Sequence, residues 1–420
     1  MQLPLTTYPT LASRSQQLLT KRLLPLFIAA FSQGLVFWAP IEKVFLKSIG
    51  FDQATLGLMA ACYAGLIPLL DLASGILADR WSRKGVLILA SFASMLNALL
   101  GGLSHDVPTY LVSTLFFGVE VALISGTYES IVYDTLLEQT GQSHAFEKRL
   151  GQVKLLNSLA LIIGSLTGGM VATLLSPRLA YFATIPLVAI SLGALLTFKE
   201  PHLHHSERRT SLKSHLLAIS QTIFRPGKTL HIISVLLTTS LLLSVIFEFG
   251  PLWQLALATP VAFYGLASAA VLSAGGVGSW LSARLTLSKP AIIVGVVGLL
   301  VGSSLTLVVV KNAVVVILAQ VVLVALGVGV SMVFTRLLHD SLSSRVRAGA
   351  ASGVGALSSI AFVLFALIFG VLSQHVGIFH AGWMVVGVTL LASVLLVKVA
   401  VGEDFKGPTA SAQPSSGGAA

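Results

Sequence analysis

Long apolar stretches alternate with short polar or turn-forming clusters along almost the whole chain. They fall at roughly 23–45, 54–78, 85–104, 109–133, 150–175, 179–198, 229–252, 260–283, 290–310, 312–337, 348–372 and 379–400. Each reaches the length of about 20 residues that a helix needs to cross a hydrocarbon layer. The breaks carry recognisable signals, among them Gly50-Phe51-Asp52, Arg83-Lys84-Gly85, His105-Asp106-Val107-Pro108, Ser176-Pro177-Arg178 and Lys311-Asn312. Stretches beyond the minimum length license tilt or kinks without fixing an angle. The pattern predicts an all-α polytopic membrane protein with twelve transmembrane helices.

Composition excludes the soluble alternative. Of 420 residues 55% are hydrophobic and 10% charged, with a mean hydropathy of +0.91, whereas soluble domains carry about 25% charged residues. The net charge of +10 would otherwise raise nucleic acid as a partner. Its distribution argues for topology instead. With the N-terminus in the cytoplasm, twenty-two Lys and Arg residues fall on inner segments and four on outer ones (Lys43, Lys47, Arg178 and Lys311). That asymmetry predicts both termini inside, in the plasma (inner) membrane of a bacterium, with the lipid bilayer as partner and no nucleic acid. The single cysteine, Cys62, lies in an apolar run and excludes an intramolecular disulfide. The first apolar stretch, after Lys21 and Arg22, is too long for a secretory signal.

The longest interior polar stretch divides the spans six and six. The expected organisation is an N-terminal bundle at 20–198, a cytoplasmic linker at 199–228, a C-terminal bundle at 229–402 and a disordered tail at 403–420. Within the linker, Leu212, Leu216, Ile219 and Ile223 recur at helical spacing, which suits a short helix on the membrane surface. The His202-Leu203-His204-His205 cluster reads as solvated, so no metal is expected. The halves echo each other at an offset of 206, relating Asp134 to Asp340 and Glu42 to Glu248. With a two-residue slip, Gly75–Arg80 overlies Ser279–Arg284. Two parallel six-helix repeats are the plan of a transporter that rocks one half against the other.

Between spans 2 and 3 stands Gly75-Ile76-Leu77-Ala78-Asp79-Arg80-Trp81-Ser82-Arg83-Lys84. This resembles the signature loop of the major facilitator superfamily, G-x-L-a-D-r-x-G-r-[rk], with Ser82 in place of glycine. The resemblance implies the major facilitator fold, two pseudo-symmetric six-helix bundles with alternating access. It also implies a cytoplasmic gate in which Asp79 docks at the inner end of the eleventh helix, near Ala348–Ser352, where a helix N-terminus favours a carboxylate. Gly75, Arg80, Arg83 and Lys84 belong to that gate, together with Glu129, Asp134 and Asp340. In span 5, Gly164-Ser165-Leu166-Thr167-Gly168-Gly169 is similar to the G-P-x-x-G-G motif of drug–proton antiporters, with Ser165 replacing proline. Close helix packing explains the same glycines without any transport direction. The arginine that drug antiporters carry in the fourth helix is missing.

Acids at membrane depth need a partner or a function. Glu120 lies about eleven residues, some 17 Å, into span 4, where desolvation favours the protonated form and suits proton binding. Thr127 and Asp134 follow at seven-residue steps and extend one face toward the inner mouth, while Glu129, nine residues from Glu120, points the opposite way. Asp71 has two readings, a cation or proton site or a partner for a basic residue such as Arg336. Glu42 and Glu248 are shallower, and an interfacial pair of Glu42 with Lys43 is the plain alternative to proton coupling. Gln33, Trp38, Tyr63, Trp253 and Tyr264 join Glu120 as candidate substrate-lining residues.

No G-x-x-x-x-G-K-[ST] or H-E-x-x-H occurs, so neither an ATP site nor a zinc protease is encoded, and no cofactor is expected. The sequence therefore predicts a monomeric secondary transporter rather than an enzyme, a proton-coupled exporter of small amphipathic compounds. Uptake by symport and a non-transporting receptor on the same fold are the alternatives.

Overall fold

The computed structural model describes residues 11–141, 145–201, 227–285, 287, 289–342 and 344–401. Most of the linker, with its histidine cluster and its amphipathic stretch, lies outside the described residues, as does the tail. Among the described residues every regular element is a helix, and twelve segments are long and apolar enough to cross a membrane. They run Leu18–Ser48, Gln53–Asp71, Arg83–Leu103, Val107–Thr140, Phe146–Leu174 and Pro177–Thr197 in the first half. In the second half they run Thr229–Ala256, Ala262–Ser282, Pro290–Val309, Ala313–Ser341, Ala350–Val376 and Ile378–Ala400. The chain is thus an integral membrane protein of twelve helices.

The polar breaks stop and start these helices by side-chain capping. Asp52 accepts from the Thr55 N–H and Asp106 from the Thr109 N–H, each forming a reciprocal capping box with the threonine hydroxyl. Hydrogen bonds from Thr109 hold the Asp106 carboxyl below its ordinary range. Ser176 and Asn312 cap the helices that follow them in the same way.

Packing divides the chain into two compact units. The first joins the six N-terminal spans to Phe247–Ser273 and Ser359–Ala381, and the second holds Ala274–Ser358 and the last span. In the first, span 3 packs against spans 4 and 6, and span 1 against spans 5 and 6. In the second, span 9 packs against spans 10 and 12, the counterpart of span 3 with spans 4 and 6. Leu19, Leu23, Leu26 and Ala30 recur at helical spacing along span 1 and are buried in a core with Ile131, Leu136 and Phe198. Leu18, Leu24 and Ile28 occupy the other side of that helix and are exposed, as a lipid-facing stripe is.

Three elements depart from the sequence expectation. The link between spans 2 and 3 is shorter than the signature suggests. The second helix continues to Arg80 and the third begins at Arg83, leaving only Trp81 and Ser82 between them. Ser82 is extended and accepts from the Gly85 N–H at 2.7 Å, so serine here is a helix cap. Span 1 ends its first helix at Gly34 and resumes through a 3-10 turn at Ala39–Ile41 into the short helix Glu42–Ser48. Span 4 is likewise two helices, Val107–Ile124 and Thr127–Thr140.

The span 5 glycines lie against the break in span 1. A Cβ on Gly164 would meet the Val36 nitrogen at 2.9 Å, and one on Gly168 would collide with the Phe37 carbonyl. The Gly168→Ala variant should therefore lose about 1–3 kcal/mol, because packed backbone would have to move. Gly193, in a helix with nothing within 4 Å of a Cβ, is the matched control. Gly193→Ala should be neutral or gain about 0.5–1 kcal/mol. Thermal unfolding of the purified variants in detergent checks the contrast.

Candidate functional site

A cavity of about 610 Å³ lies in the first unit between spans 1, 4 and 5. Gln33, Phe117, Glu120, Tyr128, Asn157 and Leu161 are among its lining residues. Its wall is the break in span 4. Gly126 has φ +69, a left-handed conformation that a side chain would strain, and it ends the first helix while starting the second. Hydroxyls take up the backbone groups there. Thr127 donates to the Leu123 carbonyl at 2.7 Å, Ser74 to the Ala122 carbonyl at 3.0 Å, and Ser130 to the Gly126 carbonyl at 2.9 Å.

Glu120 is one turn before this break and 8% exposed. Gln33 donates to its Oε1 at 3.4 Å, and Tyr128 donates to the Gln33 amide oxygen at 3.4 Å. These are long bonds from neutral donors. Among the described residues no cation pairs with Glu120. A buried carboxyl with neutral neighbours, facing a cavity, can exchange a proton or bind a cationic group.

Glu129 also lines this cavity, which corrects the expectation that it points away from Glu120. Nine residues along an unbroken helix would reverse the direction, but the turn at Ser125-Gly126 resets the register. Glu129 pairs with Lys154 at 2.9 Å, both partly exposed. Asp71 is half-buried beside Ser125, with its Oδ1 buried and unpartnered. Thr127 and Asp134 are both buried. Asp134 is taken up by Arg83, which also donates to the Ser130 carbonyl at 3.2 Å.

At the signature-loop end the expected gate residues separate into two sets. Arg83, partly buried, pairs with the buried Asp134, while Asp79 is 69% exposed and reaches Arg83 at 3.4 Å. Arg80 and Asp340 are exposed, and a Cβ on Gly75 would meet nothing within 4 Å. Of Ala348–Ser352, near which Asp79 was expected to dock, the side chains of 348 and 349 lie outside the described residues. At the N-terminus of span 3 stands a further carboxylate, Glu200, which no motif singles out in the sequence. It accepts from the Lys84 N–H at 3.1 Å and from the Ser82 hydroxyl at 2.5 Å. Lys84 in turn donates to the Leu196 and Phe198 carbonyls at 2.8 Å, closing the C-terminus of span 6.

At the opposite end, Lys43 is 4% exposed and bridges Glu42, at 2.6 Å, and Glu248. Tyr63 donates to Glu248 at 2.6 Å and Tyr110 to Glu42 at 2.8 Å. The Glu42–Lys43 pair, the plain alternative to proton coupling, is therefore present as part of a three-membered cluster around a buried lysine. Trp38 stacks on Tyr181 at 5.4 Å beside it. Of the six expected substrate-lining residues, Gln33 and Glu120 line the cavity. Tyr63 belongs to the lysine cluster, and Trp253 and Tyr264 are buried in helix packing, Trp253 against Phe369. A ring in an apolar run packs equally well in a core or a pocket, so the sequence alone did not separate the two.

Comparison with known proteins agrees with this architecture. The chain is 26% identical over 183 residues to multidrug resistance protein 1 of Bacillus subtilis (strain 168), covering 44% of this chain and 45% of that protein. It is 22% identical over 252 residues to quinolone resistance protein NorA of Staphylococcus aureus (strain MSSA476), covering 60% and 61%. The matched segments thus span about half the length of these curated relatives. Among solved structures, the nucleoside transporter NupG superposes with a TM-score of 0.70 at 14% identity, over 90% of this chain and 98% of that one. A D-xylose–proton symporter superposes with a TM-score of 0.64 at 16% identity, over 92% and 96%. The sequence profile of the Major Facilitator Superfamily matches residues 24–339, most of the chain. With twelve spanning helices in a duplicated packing pattern and a family match that reaches into both halves, this chain belongs to the Major Facilitator Superfamily.

Proposed function

We propose that the chain is a proton-coupled exporter of small amphipathic compounds, a monomer in the plasma membrane of a bacterium with both termini in the cytoplasm. The observation that carries this reading is Glu120, a buried acid with neutral partners in the wall of a cavity. Phe117, Val121 and Leu161 give that cavity an apolar surface, and Glu120 with Asn157 gives it a few polar points, the lining that suits an amphipathic guest. The relatives named for multidrug and quinolone resistance support export.

In this scheme a compound entering from the cytoplasm displaces the proton on Glu120. A proton from outside replaces the compound after the cavity has opened outward, and the proton gradient drives the cycle. Asp71, at the edge of the span 4 break, is the second proton candidate. Asp79 and Arg80, exposed at the signature-loop end, are free to engage the eleventh helix when the cytoplasmic side closes. Uptake by symport is the second reading, favoured by the fold shared with the D-xylose–proton symporter.

Two measurements test these assignments. In proteoliposomes with an imposed pH gradient, Glu120→Gln should lower gradient-driven flux at least about tenfold, the effect of about 1.4 kcal/mol, while folding and substrate binding survive. Full flux in the variant would remove Glu120 from coupling. The sign of substrate movement relative to the proton in the wild type separates export from uptake. For orientation, cysteines placed at 105–107 should react with an impermeant maleimide on intact cells, and those at 205–210 only after permeabilisation. The reverse pattern would overturn the charge argument.

A further inference from the structure

The lysine cluster opposite the signature-loop end has no task in the scheme built on Glu120. Two carboxylates share one cation there. Lys43 lies between Glu42 and Glu248, and the side chains of the three are 4%, 16% and 13% exposed. The remaining groups that face it are phenols. Tyr63 of span 2 donates to Glu248, Tyr110 of span 4 donates to Glu42, and Tyr181 of span 6 meets Tyr110 at 2.9 Å. The nearby Arg178 is held elsewhere, over the Phe45 ring at 5.4 Å, with its N–H groups on the Gly102 and Ser104 carbonyls and beside His105. Lys47, on the same short helix, is exposed. With both acids ionised the cluster carries one uncompensated negative charge in a nearly dry site.

Its connectivity is unequal. Lys43 is covalently adjacent to Glu42, whereas Glu248 belongs to span 7 and reaches the cluster with the segment Phe247–Ser273. Around it the second-half segments touch the first half backbone to backbone. A Cβ on Gly57 would lie 2.9 Å from the Gly370 Cα, and one on Gly169 would lie 2.8 Å from the Gly265 Cα. These joints add close packing but no charge, so among the described residues Lys43–Glu248 is the ion pair that ties the two halves at this end, with Tyr63 hydrogen-bonded to the same carboxylate.

We propose that Glu42, Lys43 and Glu248 form a proton-operated latch on the extracellular side. A proton from outside water adds to the Glu248 carboxylate and forms its O–H bond. Lys43 keeps its own proton and retains Glu42 as a full partner. The ionic part of the attraction holding Phe247–Ser273 to the first half is then lost, the packing contacts alone no longer hold it, and that side opens. Rebinding of Lys43 returns the Glu248 proton to water and closes it. The latch rests on alternating access and on the orientation above, but not on the role of Glu120.

The test is a distance measurement on the full-length protein in nanodiscs. Spin labels go on Lys47→Cys and Ala262→Cys, both exposed at this end, in a Cys62→Ser background. Lowering the pH from about 7 to about 4, into the range where carboxylates take up a proton, should raise the wide-distance population about tenfold. Glu248→Gln should be wide already at the higher pH and insensitive to acid. Tyr63→Phe, a milder change, should move the response part of the way. Glu42→Gln leaves Lys43 wholly to Glu248, so this variant should open only at lower pH than the wild type. A merely structural cluster would loosen alike in both glutamine variants, and that result overturns the latch. An unchanged distance in the wild type across the pH range overturns it too. Glu120→Gln in the labelled background should leave the response intact, so failure of the coupling assignment and failure of the latch are read separately.

Discussion

Hydrocarbon offers no partner to a backbone N–H or C=O, and the placement of polar side chains in the first unit follows from that constraint. An unbroken helix satisfies itself, so help is needed only where helices stop inside the membrane. At the break in span 1, Thr184 accepts from the Phe37 N–H at 3.1 Å and Asn157 donates to the Ala30 carbonyl at 3.0 Å. At the break in span 4, Ser74, Thr127 and Ser130 do the same for three carbonyls. Each break removes a turn of side chains from the packing, and the cavity lies beside both. Of the polar residues that permit the breaks, Asn157 also borders the cavity beside Glu120.

The constraint extends to helix ends. Arg178 closes the C-terminus of span 3 through the Gly102 and Ser104 carbonyls, and Lys84 closes that of span 6. Glu200 meets the opposite end of span 3, where unpaired N–H groups favour an anion. Cations that mark topology by their number thus act singly as caps. The Arg83–Asp134 pair goes further, because removing the arginine would strand a buried carboxylate.

The twelve spans were legible because each apolar run is self-sufficient; its length and polarity specify a spanning helix without reference to any neighbour. Glu120 was legible for a related reason, since an acid deep in such a run is costly whatever surrounds it. The break beside it was not. Ser125-Gly126 looks like an ordinary small pair in a chain with 38 glycines, and only the left-handed backbone at Gly126 distinguishes it. That single turn reversed the expected direction of Glu129. Contacts between distant positions were equally hidden. Glu200 lies 116 residues from Lys84 and Glu248 lies 205 from Lys43, and no local pattern announces such a meeting.

The internal repeat explains why the lysine cluster is unbalanced. An offset of 206 supplies a glutamate from each half, Glu42 and Glu248, and both reach the same lysine. The same offset from Lys43 falls on Phe249, which is fully buried and packs on Phe369 at 4.9 Å. One half thus contributes an acid and its counter-ion, the other an acid and an aromatic ring. The second cation that would neutralise the site is missing because its repeat-related position serves packing. Two acids on one lysine leave a charge that neighbouring phenols solvate without cancelling. In the proposed latch, a proton on Glu248 removes that imbalance and leaves Lys43 and Glu42 as a balanced pair within the first half.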